Sequence, residues 1–246
     1  YLTIGPFFAA PRTATGAYEI AVAQYLPPEM RSMGLYVFAA VFFIITWWLA
    51  ISPSKLVARV GKFMTPVLLV FLFLLIISAI ASPMGSWQAP AAAYDTGVKA
   101  LGQGIVDGYN TMDGLAALVF GIIVVESVKM YGAVSEAQIT KDTLRSGLIS
   151  TFFMAVIYAA LCYIGASSVS LIGVQENGAP VLVKTALHYF GAAGGGILGV
   201  IVIFACLTTS VGLAASCAAY FNLLLPKISS KTFVTVMVVV CFFVAL

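Results

Sequence analysis

Seven apolar runs divide this chain from end to end, most of them long enough to supply the roughly 20 residues that a membrane-spanning helix needs. They cover residues 1–25, 34–51, 64–82, 104–125, 147–172, 195–220 and 232–246. Hydrocarbon offers backbone groups no hydrogen bonds, so runs of this length must satisfy their own N–H and C=O groups as helices. Only 9% of residues are charged and 62% are hydrophobic, against about 25% charged in a soluble domain. The fold class predicted is therefore all-α: a polytopic transmembrane bundle, with residues 1–246 forming a single transmembrane domain. No loop is long enough for a soluble domain, which places any function inside the membrane. Because the chain opens at Tyr1 within one apolar run and stops at Leu246 within another, it is expected to be a fragment truncated at both ends.

A net charge of +3 carried by twelve Lys and Arg is no footprint for nucleic acid. The position of those cations matters more. Lys55, Arg59, Lys62, Lys129, Lys141, Arg145, Lys227 and Lys231 fall in the second, fourth and sixth loops, whereas the intervening loops hold Arg31, Lys99 and Lys184. Eight against three puts the even-numbered loops in the cytoplasm, so the first run exits and the fourth enters from outside. Trp47 and Trp48 mark an interfacial anchor for the short second run. The outer loops, 83–103 and 173–194, contain partly apolar pieces such as 181–190 that can form short surface helices. Cys162, Cys206, Cys217 and Cys241 lie far apart in apolar runs without C-x-x-C spacing, and read as small buried hydrophobes.

The densest chemistry is Gly108-Tyr109-Asn110-Thr111-Met112-Asp113-Gly114, which runs into the apolar stretch holding Ala117, Leu118, Phe120 and Gly121. A carboxylate, an amide and a hydroxyl fall within four residues, between glycines that weaken a regular helix. Irregular backbone at membrane depth persists only where protein or a polar cavity satisfies it. Tyr109, Asn110, Thr111, Asp113, Gly114, Ala117, Leu118, Phe120 and Gly121 are therefore the candidate substrate-binding residues. The competing reading makes Asp113 a headgroup-level cap on a helix that starts at Gly114.

Arg12 and Glu19 lie two turns apart, about 10.5 Å along one helical face, and suit either a gating role or a structural one beside the breaks expected at Pro6 and Pro11. In the sixth run the Ala205 carbonyl and the Thr208 and Thr209 hydroxyls share a face at i, i+3 and i+4. Such hard oxygen ligands suit a small hard cation, although membrane-helix hydroxyls commonly bond back to their own helix. Gly191, Gly195 and Gly199, at spacing four, favour close packing. Enzyme signatures are missing: there is no H-E-x-x-H, P-loop or dinucleotide fingerprint. Asp95 and Asp113 alone evoke a two-aspartate intramembrane hydrolase, and Asp113 lacks the G-x-G-D context.

Three stretches carry a resemblance: Tyr1-Leu2-Thr3-Ile4-Gly5-Pro6-Phe7-Phe8-Ala9-Ala10-Pro11-Arg12-Thr13-Ala14-Thr15, Gly108 through Ala116, and Gln138-Ile139-Thr140-Lys141-Asp142-Thr143-Leu144-Arg145. With them the chain resembles the bacterial branched-chain amino acid carriers of the LIVCS family, the BrnQ type. The resemblance implies no enzyme, but a multi-pass transporter of the bacterial inner membrane importing leucine, isoleucine and valine by sodium symport, with a proton as the other candidate coupling ion. No further cofactor is implied, and the lipid bilayer is the expected surrounding. It also implies a LeuT-like fold of two inverted five-helix repeats, with the seven runs as helices 3 to 9 of about twelve. The Asp113 motif would then lie in a broken helix, interrupted either at 109–113 or deeper, at 117–121. Ala205, Thr208 and Thr209 would form part of the sodium site. The alternative class is a membrane channel or an intramembrane hydrolase without a transport cycle.

Overall fold

The expected breaks in the apolar runs decide how the helices begin and end. The computed structural model describes residues 1–51, 55–175 and 177–246, with the side chains of 55–61 and 64 also outside the description. The second-loop cations Lys55 and Arg59 thus fall where only backbone is described, at the start of a helix. The helices are α1 (Ala9–Ala21), α2 (Arg31–Ile51), α3 (Lys55–Ala81), α4 (Gly97–Asn110), α5 (Asp113–Met130), α6 (Glu136–Ile172), α7 (Gly178–Leu224) and α8 (Ser230–Ala245). Among the described residues there is no strand, and the protein is an all-α polytopic membrane bundle. Among the described residues, four helical stretches are long and apolar enough to cross a membrane: Pro28–Ile51, Gly97–Met130, Glu136–Ile172 and Gly178–Leu224. Thr65–Ala81 and Ser230–Ala245 are apolar but shorter.

The first run is split. A π-helical turn covers Thr3–Phe7, and Phe8 adopts φ −143°, ψ −66° before α1 starts at Ala9. Pro6 lies within the turn, while Pro11 occupies the first turn of α1, where an N–H would have no intrahelical partner. The interruption is thus at Gly5 to Phe8, and Pro11 is accommodated without a second one.

The chain divides into two compact units, residues 1–83 with 172–246, and residues 84–171. In the first, α1 runs antiparallel along α7. Tyr1 stacks on Tyr220 at 4.0 Å between ring centroids, and the far end of α1 reaches Gly199 through Ala21. Lipid is as apolar as a leucine side chain, so helix pairs in a membrane gain from close van der Waals packing, which small residues permit. Ala10, Ala14 and Ala17 form the buried stripe of α1, and a Cβ at Gly199 would come within 3.0 Å of the Ala21 Cα. Arg12 and Glu19 are about 180–200° around the helix from that stripe and stay exposed.

Of the three glycines expected to pack, Gly195 and Gly199 do so, and Gly191 does something else. It adopts φ 62°, ψ −159°, and the helical path turns there between residues 178–190 and 192–224. The apolar piece 181–190 is thus a short helix leading into the break. Cys217 and Cys241 are buried as expected, but Cys162 is exposed and Cys206 half-buried; all four are free thiols.

In the second unit, Thr96 caps α4 by accepting from the Lys99 N–H at 3.5 Å, and Lys99 pairs with Asp95 at 2.9 Å. Tyr94 donates to Asp107, which holds the phenol above its ordinary pKa of 10 and keeps it a donor. Gln103 donates to the same carboxylate at 2.9 Å.

Candidate functional site

Between α4 and α5 the helix stops for two residues, the shallower of the two positions expected for the break. Thr111 folds back, its hydroxyl donating to the Gly108 carbonyl at 2.7 Å. Met112 takes the left-handed conformation, φ 61°, ψ 15°, the only positive φ at a non-glycine among the described residues. That conformation is uncommon for any residue other than glycine. Through 117–121, α5 is uninterrupted.

The break sets the C-terminal end of one half-helix beside the N-terminal end of the next, so carbonyls and N–H groups without intrahelical partners face the same gap. Asp113 is the first residue of α5 and not its cap; the cap position belongs to Met112, which offers no side-chain bond. The carboxylate sits in the first turn, where the helix dipole favours negative charge. Its Oδ2 accepts from the Tyr158 hydroxyl of α6 at 2.5 Å, and at 3.0 Å it shares the single Thr111 proton with the Gly108 carbonyl. Charge-assisted bonds of this kind are about twice as strong as neutral ones.

Beside the carboxylate lies a cavity of about 620 Å³. Asp113, Gly114, Ala116, Ala117 and Phe120 form one wall, and Thr151, Met154, Ala155 and Tyr158 the other. Gly114 apart, each set falls on one helical face at i, i+3, i+4 and i+7. The wall is apolar except at its Asp113–Tyr158 end and at Thr151. Of the candidate substrate-binding residues, Asp113, Gly114, Ala117 and Phe120 line this cavity. Tyr109 and Asn110 are the last residues of α4, and Thr111 is the first residue of the break. Leu118 is 74% exposed and turned away, and Gly121 is half-buried one turn beyond Ala117.

Tyr158, Thr151 and Met154 went unnoticed in the sequence reading. Tyr158 lies 45 residues from Asp113, and no local spacing predicts such a pairing. The available signal was weak: Thr151 and Tyr158 are two polar residues seven apart in an apolar run, hence on one face.

In α7, Thr208 and Thr209 both donate to the Ala205 carbonyl, each at 2.9 Å. Each hydroxyl keeps its lone pairs, and a cation could use those, whereas the carbonyl already accepts two bonds. Arg12 lies over the Phe8 ring, 5.1 Å from its centroid. Glu19 accepts from Asn177 at 3.3 Å, the residue whose own side chain caps α7. Among the described residues no group of three or more His, Cys, Asp or Glu could hold a metal ion. Asp95 and Asp113 have separate partners, Lys99 and Tyr158.

Long apolar helices and an interrupted helix with a carboxylate at the gap define a multi-pass membrane protein. The chain belongs to the family of branched-chain amino acid transport proteins, whose family model matches residues 1–246. It is 42% identical to the branched-chain amino acid permease BrnQ of Bacillus subtilis, covering 96% of this chain and 53% of that protein. To the permease BraB of the same organism it is 40% identical, over 96% of this chain and 53% of the relative. The permease BrnQ of Lactobacillus delbrueckii subsp. lactis is 38% identical, over 92% of this chain and 51% of its own. The chain thus spans about half the length of these curated relatives. No solved structure matches it. The family and the relatives are transport proteins, not enzymes.

Proposed function

We propose that the protein is a secondary active transporter of the bacterial cell membrane, importing leucine, isoleucine and valine by sodium symport. The observation that carries this reading is the interruption at Thr111 and Met112, with Asp113 at its edge and an apolar cavity alongside. A zwitterion suits such a gap. Its carboxylate finds N–H groups at the start of α5, and its ammonium finds Asp113 and the carbonyl end of α4. The aliphatic side chain then lies against Ala117, Phe120 and Met154. One methylene more or less is worth only about 1–3 kcal/mol in an apolar pocket, so the three substrates should compete. The relatives are named branched-chain amino acid permeases, which supports the substrate class.

Sodium moving inward gains about 2.3 kcal/mol per 100 mV, and its concentration gradient adds to that. Ala205, Thr208 and Thr209 are the proposed cation ligands in this chain, the carbonyl joining when the two hydroxyls that donate to it turn to the ion, with a LeuT-like inverted repeat as the framework. The test is counterflow of labelled leucine in cells expressing the protein, with and without sodium. Saturable, sodium-dependent exchange that unlabelled valine inhibits is the expected outcome. Flux that neither saturates nor exchanges would point to a channel instead, and uptake that follows pH and ignores sodium would make the proton the coupling ion.

A further inference from the structure

A second cavity, of about 570 Å³, lies within the first unit among the C-terminal end of α1, the start of α2 and the first turns of α7. It shares no residue with the cavity beside Asp113. Among the described residues its walls carry one anion, Glu19, and two cations, Arg31 and Lys184, with Ala23, Val183 and Leu187 supplying apolar surface. Each charge is held by a neutral group. Glu19 accepts from Asn177 at 3.3 Å, Lys184 donates to Gln175 at 2.9 Å, and the Arg31 Nε reaches the Leu26 carbonyl at 3.4 Å. Among the described residues the one ion pair is Lys99 with Asp95, so the three charges stand around a common space without closing on each other.

The ligand that matches such walls carries both charges. A simple anion meets Glu19, and a simple cation meets Arg31 and Lys184, whereas an α-amino acid zwitterion can direct its ammonium to Glu19 and its carboxylate to the two cations. An aliphatic side chain then faces Ala23, Val183 and Leu187. The volume falls within the range of about 300–1,000 Å³ usual for small-molecule sites. We propose that this cavity is a second binding site for aliphatic amino acids, separate from the one at the interrupted helix and formed by Glu19, Arg31 and Lys184. The choice of leucine as ligand rests on the transporter reading; the charge arrangement does not.

Protection of a cysteine placed in the wall tests it. In purified protein carrying Leu187→Cys, labelling by a water-soluble maleimide above the parent's level is timed with and without leucine, glutamate or lysine. Leucine at about ten times its Kd should slow labelling roughly tenfold, and equal glutamate or lysine should not. Protection should disappear in Glu19→Gln and in Lys184→Gln, and should survive Asp113→Asn. Ala23→Cys serves as a second reporter if Leu187→Cys folds poorly. Protection that persists in both charge variants, or that vanishes with Asp113→Asn, would overturn the second site. Leucine uptake by the parent protein is assayed in parallel. Its absence defeats the transporter reading, while uptake together with unprotected cysteines at both positions defeats this site alone.

Discussion

At the scale of single residues, the position of Asp113 depends on what holds it. Two hydroxyls approach one oxygen of the half-buried Asp113 carboxylate at the start of α5, and a carboxylate at the mouth of an apolar run is retained where charge-assisted bonds offset its partial desolvation. Asp113→Asn keeps shape but removes charge, so leucine uptake is expected to fall by at least about tenfold while the protein still reaches the membrane, given the roughly 1.5–3 kcal/mol carried by a hydrogen bond to a charged group. Tyr158→Phe removes one of the two donors and should show a smaller loss in the same assay, with Thr151→Ala milder still. Uptake at the parental level in both Asp113→Asn and Tyr158→Phe would return the pair to a structural role. In α7 the test is sodium dependence. Thr208→Val and Thr209→Val conserve volume and each removes an oxygen, so the half-saturating sodium concentration should rise severalfold, with maximal uptake recovered when sodium is raised. Cys206 turns about 100° away from Ala205, and Cys206→Ala should keep the parental curve.

At the scale of helices, α7 combines a break with a packing seam. Gly191 occupies a backbone region open to glycine and strained for any other residue, at a cost of about 1–3 kcal/mol. A Cβ there would meet nothing within 4 Å, so the strain is purely in the backbone. Gly191→Ala should therefore lower the unfolding midpoint in detergent, whereas Gly196→Ala, helical and equally unobstructed, should leave it unchanged or raise it slightly. Equal midpoints for the two variants would remove the argument for a break fixed by Gly191. Gly199 is a different case: its Cβ would press on the Ala21 backbone, and α1 cannot yield without losing its alanine stripe. The interruption between α4 and α5 has neither device, and relies on Thr111 folding back onto Gly108.

At the scale of the whole molecule, the distribution of cations gives a sidedness that can be checked directly. A cysteine introduced between residues 52 and 62 should resist an impermeant thiol reagent applied to intact cells, and one between 173 and 194 should react; the reverse pattern would invert the orientation. Much of the architecture was legible in the chain itself. Runs of apolar residues dictate helices because hydrocarbon leaves the backbone no other partner, and the polar cluster from Tyr109 to Asp113 marked the interruption because glycines and short polar side chains compete with helical bonding. The same local logic picked out Ala205, Thr208 and Thr209 as one face. It went astray where the outcome depends on a neighbour. Pro11 reads as a breaker, but the preceding turn places it where no N–H is required. Gly191, Gly195 and Gly199 have identical spacing, yet Leu187, Tyr25 and Ala21 cover two of them and the backbone turns at the third. Tyr158 reaches Asp113 across 45 residues, and Glu19, Arg31 and Lys184 line one cavity from three helices. Periodicity and composition are local properties and gave the helical kind and approximate placement of the runs, though seven runs became eight helices once the fourth was split at Thr111 and Met112. Which faces meet depends on shape complementarity between distant segments, and only the folded chain decides it.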